Sequence, residues 1–310
     1  ALTYYSMEES VALSKSRGEF PLCSKTDYAD GKIPVSGYYE KPKQEQYYDW
    51  DALIEKIQKH GIRNVLTTTV APTGTLSMLA DCSNGMEPNF ALVFEKRVTV
   101  GRFFYTNKIF EQVLKENNLY SEELLAKVAD NYGSVKGIPE IPDWIQNIFV
   151  TAMDIHWSDH VFAQGVWQDW IGNAISKTIN MPHDVSVDDV KASYLLAHEM
   201  GLKGITVYRD GSRHKQVLHM TSENSEKTFD VIPSDYITTY ISNNIKNPYV
   251  KTEIDNALSA TKLEDVQRPT QIVVEEEKEE TLCPVCKNKL IFAEGCNICI
   301  DCGYTGCTSG

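Results

Sequence analysis

Residues 67–82 read TTTVAPTGTLSMLADC. A β-branched run stops at Ala71-Pro72, the turn Thr73-Gly74-Thr75 follows, and Leu76, Met78 and Leu79 begin a helical pattern. A strand that restarts at once as a helix leaves the first N–H groups of that helix without intrahelical partners. Those donors, together with the positive end of the helix dipole, suit a phosphate. Gly74 lets the backbone come close to a ligand, Thr73, Thr75 and Ser77 add hydroxyl donors, and Pro72 ends the strand. No lysine follows the turn as in a Walker loop, so this is not a P-loop. On composition alone, an ordinary hydroxyl-capped strand-to-helix turn is the competing reading.

Outward from this turn, strands and helices alternate from about residue 48 to 213. Asp49–His60 spaces Leu53, Ile54 and Ile57 helically and is closed by Gly61. Asn64–Val70 reads as a buried strand, and Arg97–Val100 as another. Asn107–Asn117 and Ser121–Asp130 read as helices, the second capped by Ser121. Asp143–Asn173 reads as one long helical region carrying Trp144, Trp157, Trp167 and Trp170, which composition places in the core. Ser176–Met181 and Lys203–Tyr208 read as strands on either side of a helix, Ser186–Met200. The alternation predicts an α/β fold with βα units around a parallel sheet or barrel. Three regions are expected: residues 1–220, a polar and acidic linker over 221–280 with the run Glu275–Glu280, and a cysteine-rich tail over 281–310.

The chain has 310 residues and a net charge of −13, which argues against a broad nucleic-acid interface. No apolar run approaches a bilayer span and the first twenty residues carry no signal-peptide pattern, so a cytoplasmic protein is expected. Six of the eight cysteines fall in the last 28 residues. Clustered this way in a cytosolic chain, they point to metal or redox chemistry. Cys283-x-x-Cys286 and Cys299-x-x-Cys302 are two knuckles twelve residues apart. Their four thiolates can hold one Zn²⁺ tetrahedrally and staple a segment too short for its own core. Two ligand sets are open. The first is Cys283, Cys286, Cys299 and Cys302. The second replaces Cys302 by Cys296 and frees Cys302 and Cys307 as a dithiol. Cys23 and Cys82 read as small buried hydrophobes. His156 and His160, four apart beside Asp154 and Asp159, could bind a metal, but capping or internal hydrogen bonding is the simpler reading.

The stretch APTGTLSMLADCSNGMEPNFAL resembles the diphosphate-binding loop of adenosylcobalamin-dependent (class II) ribonucleotide reductases. TYYSMEESVALSKSRGEFPL, VTAMDIHWSDHVFAQ, SKTINMP and KGITVYRDGSR resemble the same family, in the same order, over about residues 1–220, and EGCNICIDCGYTGC resembles its C-terminus. The resemblance implies the later strands of a ten-stranded α/β barrel, with a zinc ribbon in the tail. It implies that Pro72, Thr73, Gly74, Thr75 and Ser77 hold the substrate phosphates, and that the wall containing Tyr208 and Arg209 faces cobalamin. The family reduces ribonucleotides by a radical mechanism. A thiyl radical on a cysteine in an Asn-x-Cys-x-Glu motif takes the 3′ hydrogen of the ribose, the 2′ hydroxyl leaves as water, and a cysteine pair supplies the electrons. This sequence contains no Asn-x-Cys-x-Glu. The resemblance therefore implies a chain inactive alone, which needs a complementary N-terminal reductase chain. It further implies a swinging thiol pair in the tail, Cys302 and Cys307, that exchanges with the active-site disulfide and is served by a thioredoxin-like reductant. The rival expectation is a non-catalytic α/β protein whose zinc ribbon binds nucleic acid or a protein partner.

Overall fold

The computed structural model describes residues 1–40, 47–80, 82–98, 101–212 and 231–260, and in the tail residues 285–286, 291–293, 296–298, 302 and 305–307. The chain divides into two compact units, Ala1–Leu263 and Glu264–Gly310.

The first core forms between two amphipathic helices. Helix α1 (Leu2–Arg17) buries Tyr4, Met7 and Val11 at helical spacing, and a short α2 (Ser36–Glu40) follows. Helix α3 (Trp50–His60) buries Trp50, Leu53 and Ile57 against this cluster. Asp49 caps α3 by accepting the Ala52 N–H at 3.0 Å, and Gly61, with φ of 67°, ends it. Cys23 is buried in this core, where burial raises its thiol pKa, so it behaves as a small hydrophobe. Gly37 lies under the Trp170 ring, and a Cβ there would come within 2.7 Å of a ring carbon.

From Ala80 the chain returns through residues 82–92 to an antiparallel hairpin, β1 (Val93–Val98) and β2 (Gly101–Thr106). Helix α5 (Lys108–Glu116) is capped by Asn107, which accepts the N–H of Ile109 and Phe110. Helix α6 (Glu122–Asp130) is capped by Ser121. Phe110, Leu114, Leu124, Val128 and Ile145 close a second core with the start of the hairpin. Helices α4 (Gly74–Ala80) and α7 (Asp143–Ile148) complete the elements before residue 150.

The third core surrounds a βαβ unit. Helix α8 (Trp157–Gln168) precedes β3 (Thr178–Met181), α9 (Val187–Glu199) follows, and β4 (Thr206–Arg209) pairs parallel to β3 with Thr178 opposite Thr206 and Met181 opposite Arg209. Ile179, Met181, Val161, Ala192 and Leu196 are fully buried here. Helices α10 (Asp235–Asn244) and α11 (Pro248–Ala260) add Ile237, Ile241, Val250 and Ile254 to the same core. No helix among the described residues is long and apolar enough to cross a membrane.

The structure corrects five sequence expectations. The supposed linker over 221–280 is not all linker, because α10 and α11 pack an i, i+4 apolar stripe into the third core. Asn, Ser and Thr around that stripe diluted its signal. Asn64–Val70 is extended but makes only one parallel bridge, Val70 to Ile175, and Val65 stays 52 % exposed. Its threonines serve as hydrogen-bonding groups: Thr67 Oγ1 accepts from Ser6, Thr68 Oγ1 accepts the Gly172 N–H, and Thr69 Oγ1 donates to Ala174 O. Asp143–Asn173 is not one helix. It is α7, a 3₁₀ turn at Ala152–Asp154 and α8, because Thr151, Asp154 and His156 bond the local backbone in competition with a continuous helix. Of its tryptophans, Trp157 is buried, but Trp144 and Trp167 are about half exposed. Cys82, expected in the core, is exposed.

The tail holds three short antiparallel strands, β5 (Ile291–Ala293), β6 (Cys296–Ile298) and β7 (Thr305–Cys307), with Cys296 directly opposite Cys307.

Candidate functional site

The turn after Val70 takes the form its sequence predicts. Thr73 adopts a left-handed φ of 45°, a strained value for a β-branched residue. Helix α4 starts at Gly74, and the Ser77 N–H bonds Thr73 O at 2.8 Å, closing its first turn. The earlier amides of Gly74 and Leu76 have no protein acceptor among the described residues. A Cβ at Gly74 would meet nothing within 4 Å, so the backbone faces open space. Pro72 and Gly74 are exposed, while Thr73 and Ser77 are half-buried. The Ser77 hydroxyl donates to Gly74 O at 2.8 Å, and its one O–H reaches an anionic ligand only by rotating away from that carbonyl. Of the Thr75 side chain nothing is described. With the Gly74 and Leu76 amides and the Thr73 hydroxyl around an unobstructed glycine, the turn can receive an anion.

The return limb holds this turn from behind. Asn84 Nδ2 donates to Pro72 O at 3.4 Å, and Gly85, with φ of 51°, approaches Ala71 O closely enough that a Cβ would lie 3.5 Å away. Glu87 Oε1 accepts the backbone N–H of Thr178 at 2.8 Å, which ties the limb to β3. Asn89 O accepts the Ala152 N–H at 2.8 Å.

Next to these contacts lies a buried polar group that the sequence reading missed. Lys177 is 2 % exposed and donates from Nζ to His160 Nδ1 at 2.7 Å and to Thr178 O at 3.1 Å. That fixes the tautomer of His160: Nδ1 accepts and Nε2–H donates to Ala152 O at 2.9 Å. Burial lowers the Lys177 pKa to about 8, against the opposing pull of Glu87. Burial first, and then the Lys177 charge, lower His160 to about 3. The available signal was a charged residue beside the apolar alternation of SKTINM, a pattern that requires partners once buried.

His156 and His160 do not form a metal pair. His156 caps α8, its Nδ1 accepting the Ser158 N–H at 3.2 Å, and burial lowers its pKa to about 4. Asp154 accepts from Ser134 and Thr151, and Asp159 accepts the Ser234 N–H at 3.0 Å. Among the described residues, no group of three or more His, Cys, Asp or Glu could hold a metal ion. A shallow cleft of about 440 Å³ opens beside His156, Asp159 and Ser234, and its lining includes no residue of the turn at 72–77.

Tyr208 and Arg209 sit at the end of β4, opposite Asn180 and Met181, and are half-buried. In the tail, Cys283 and Cys299 lie outside the described residues. Cys286 is half-buried, Cys302 is exposed, and Cys296 and Cys307 are known by their strand register.

Comparison with known proteins agrees with this geometry. The family model described as ribonucleotide reductase, barrel domain, matches residues 1–208. A vitamin B12-dependent ribonucleoside-diphosphate reductase of Thermoplasma acidophilum is 41 % identical over 173 residues, covering 55 % of this chain and 22 % of that protein. One of Mycobacterium tuberculosis is 40 % identical over 156 residues, covering 50 % and 22 %. A vitamin B12-dependent ribonucleotide reductase of Rhodopirellula baltica is 34 % identical over 190 residues, covering 58 % and 18 %. The chain thus spans about a fifth of the length of these curated relatives. With the extended segment, turn and helix of residues 67–80 in the matched region, the chain belongs to the ribonucleotide reductase barrel-domain family.

Proposed function

We propose that this chain supplies the phosphate-binding turn and part of the cofactor-facing wall of a vitamin B12-dependent ribonucleotide reductase, which converts ribonucleotides to deoxyribonucleotides. The observation that carries the reading is the open turn at Thr73–Ser77, whose early amides face space that a phosphate can fill. In this reading the amides and the hydroxyls of Thr73 and Ser77 bind the terminal phosphates and fix the ribose relative to the barrel. The donor set at the end of β4 fits a cobalamin: Tyr208 and Arg209 are half-exposed and suited to its amide and phosphate periphery. Adenosylcobalamin, when bound, would supply the radical chemistry of the family. The radical cysteine must come from complementary reductase sequence outside these 310 residues, since they contain no Asn-x-Cys-x-Glu.

For the tail, the register of β6 and β7 supports the first zinc set. Cys296 and Cys307 hold opposite register positions on β6 and β7, so they, in place of Cys302 and Cys307, make the better candidates for an exchangeable dithiol. Cys283, Cys286, Cys299 and Cys302 then remain for Zn²⁺. The dithiol would pass two electrons to an active-site disulfide by thiol exchange, becoming a disulfide that a thioredoxin-like reductant reopens.

Reconstitution tests the function. Deoxyribonucleotide should form when the chain is combined with a complementary barrel polypeptide, adenosylcobalamin and a dithiol, and not from the chain alone. Turnover by the chain alone, or none from the combination, would refute the assignment.

A further inference from the structure

The return limb of the phosphate turn closes into a ring of hydrogen bonds. Glu87 accepts the Thr178 N–H, Thr178 O accepts from Lys177 Nζ, and Lys177 also donates to His160 Nδ1. His160 Nε2–H donates to Ala152 O, and the Ala152 N–H donates to Asn89 O, two residues beyond Glu87. The ring ties together the return limb, β3, α8 and the 3₁₀ turn before it. Packing alone does not call for a lysine here, because an apolar residue would fill the same buried space without a desolvated charge. Its ammonium and the Glu87 carboxylate both bond Thr178, at its O and at its N–H, and attract each other electrostatically.

We propose that Lys177 and Glu87 are positioning residues for the phosphate turn: through Thr178, which each of them bonds, they seat the 84–89 limb on β3, and the seated limb holds Ala71 and Pro72 through Gly85 and Asn84. The proposal rests on the reading of Thr73–Ser77 as the phosphate site. Without Lys177, the half-buried Glu87 carboxylate loses its counter-charge and turns to water, the Thr178 amide loses its acceptor, and the limb comes away from β3. The three apolar cores do not include these residues.

The test uses the 310-residue chain with CDP as the probe, and compares Lys177→Met, Lys177→Arg and Glu87→Gln with the unaltered protein. Three quantities are read: CDP affinity, melting temperature, and amide hydrogen exchange of residues 82–92 against residues 235–257. Glu87→Gln keeps an acceptor for Thr178 at a half-buried position, so it remains informative if Lys177→Met fails to fold. Lys177→Met should weaken CDP binding about tenfold and Glu87→Gln about threefold to fivefold, with faster exchange confined to 82–92. Lys177→Arg should restore affinity to within about twofold. Unchanged affinity and exchange in Glu87→Gln, or equal loosening of 235–257, would overturn the proposal. If the unaltered chain does not bind CDP, the phosphate-site reading fails by itself. Exchange in 82–92 then decides the inference: selective loosening supports the Lys177–Glu87 seat, and none overturns it.

Discussion

Two helices in this protein start just beyond parallel strand segments, and their first turns are built in opposite ways. Helix α9, after β3, is sealed. Ser186 Oγ accepts the Asp189 N–H at 3.1 Å, Asp189 Oδ2 accepts the Ser186 N–H at 3.0 Å, and Asp189 Oδ1 takes the Trp157 indole at 3.0 Å. Helix α4, after Val70, is open: its residue before the helix is left-handed, no carboxylate sits in its first turn, and Gly74 faces empty space. A carboxylate at a helix start does for the fold what a phosphate does for binding. Where the chain provides its own anion the turn is structural. Where it leaves the anion out, the turn stays open.

The largest expected effect breaks the sealed turn. Asp189→Ala removes a capping box and leaves the buried Trp157 N–H without an acceptor, so urea denaturation should show a loss of about 2–4 kcal/mol. CDP affinity should not change. Next comes a substitution that gives α4 the anion α9 already has. Gly74→Asp should weaken CDP binding tenfold or more while the helix gains up to about 0.5 kcal/mol from its dipole. If the α4 turn were only a cap, stability alone would respond. Calorimetric titration beside thermal melting separates the two.

A smaller, graded effect comes from pH. His160 and His156 titrate near 3 and 4 when folded but near 6.5 when unfolded. Between those values the unfolded chain binds protons that the folded chain refuses, so stability is full above pH 6.5 and falls steadily as the pH drops toward 3. Lys177 has the same sign in a higher window: with a folded pKa of about 8 against 10.5, its contribution grows as pH rises from 8 to 10.5. Denaturation midpoints across pH should show both slopes, and His160→Gln should flatten the acid one. The smallest effect belongs to Ser77→Ala. It removes one hydroxyl already turned toward Gly74 O, and should cost affinity about twofold to threefold.

The same contrast explains what the sequence could and could not reveal. Ser121 before α6 and Gly61 after α3 are local signals that act over three or four residues, and each was legible. The start of a helix at Gly74 was legible for the same reason. The ring through Glu87, Thr178, Lys177, His160 and Ala152 was not, because its members lie up to 91 residues apart and meet only in the fold. The strand expected at Asn64–Val70 failed for a related reason. β-branched residues satisfy strand propensity, but Thr67, Thr68 and Thr69 use their hydroxyls on α1 and on residues 172–174, a choice set by tertiary neighbours. Helices α10 and α11 went unread because a stripe of Ile237, Ile241, Val250 and Ile254 is diluted by polar residues in every turn.

The central claim concerns the amides at the start of α4, and NMR titration of the uniformly ¹⁵N-labelled chain with CDP tests it most directly. The account predicts saturable shifts concentrated at the amides of Gly74, Leu76 and Ser77, with the Asp189 amide in the sealed α9 turn unmoved. Shifts centred elsewhere, or none in this turn at saturating CDP, would contradict it.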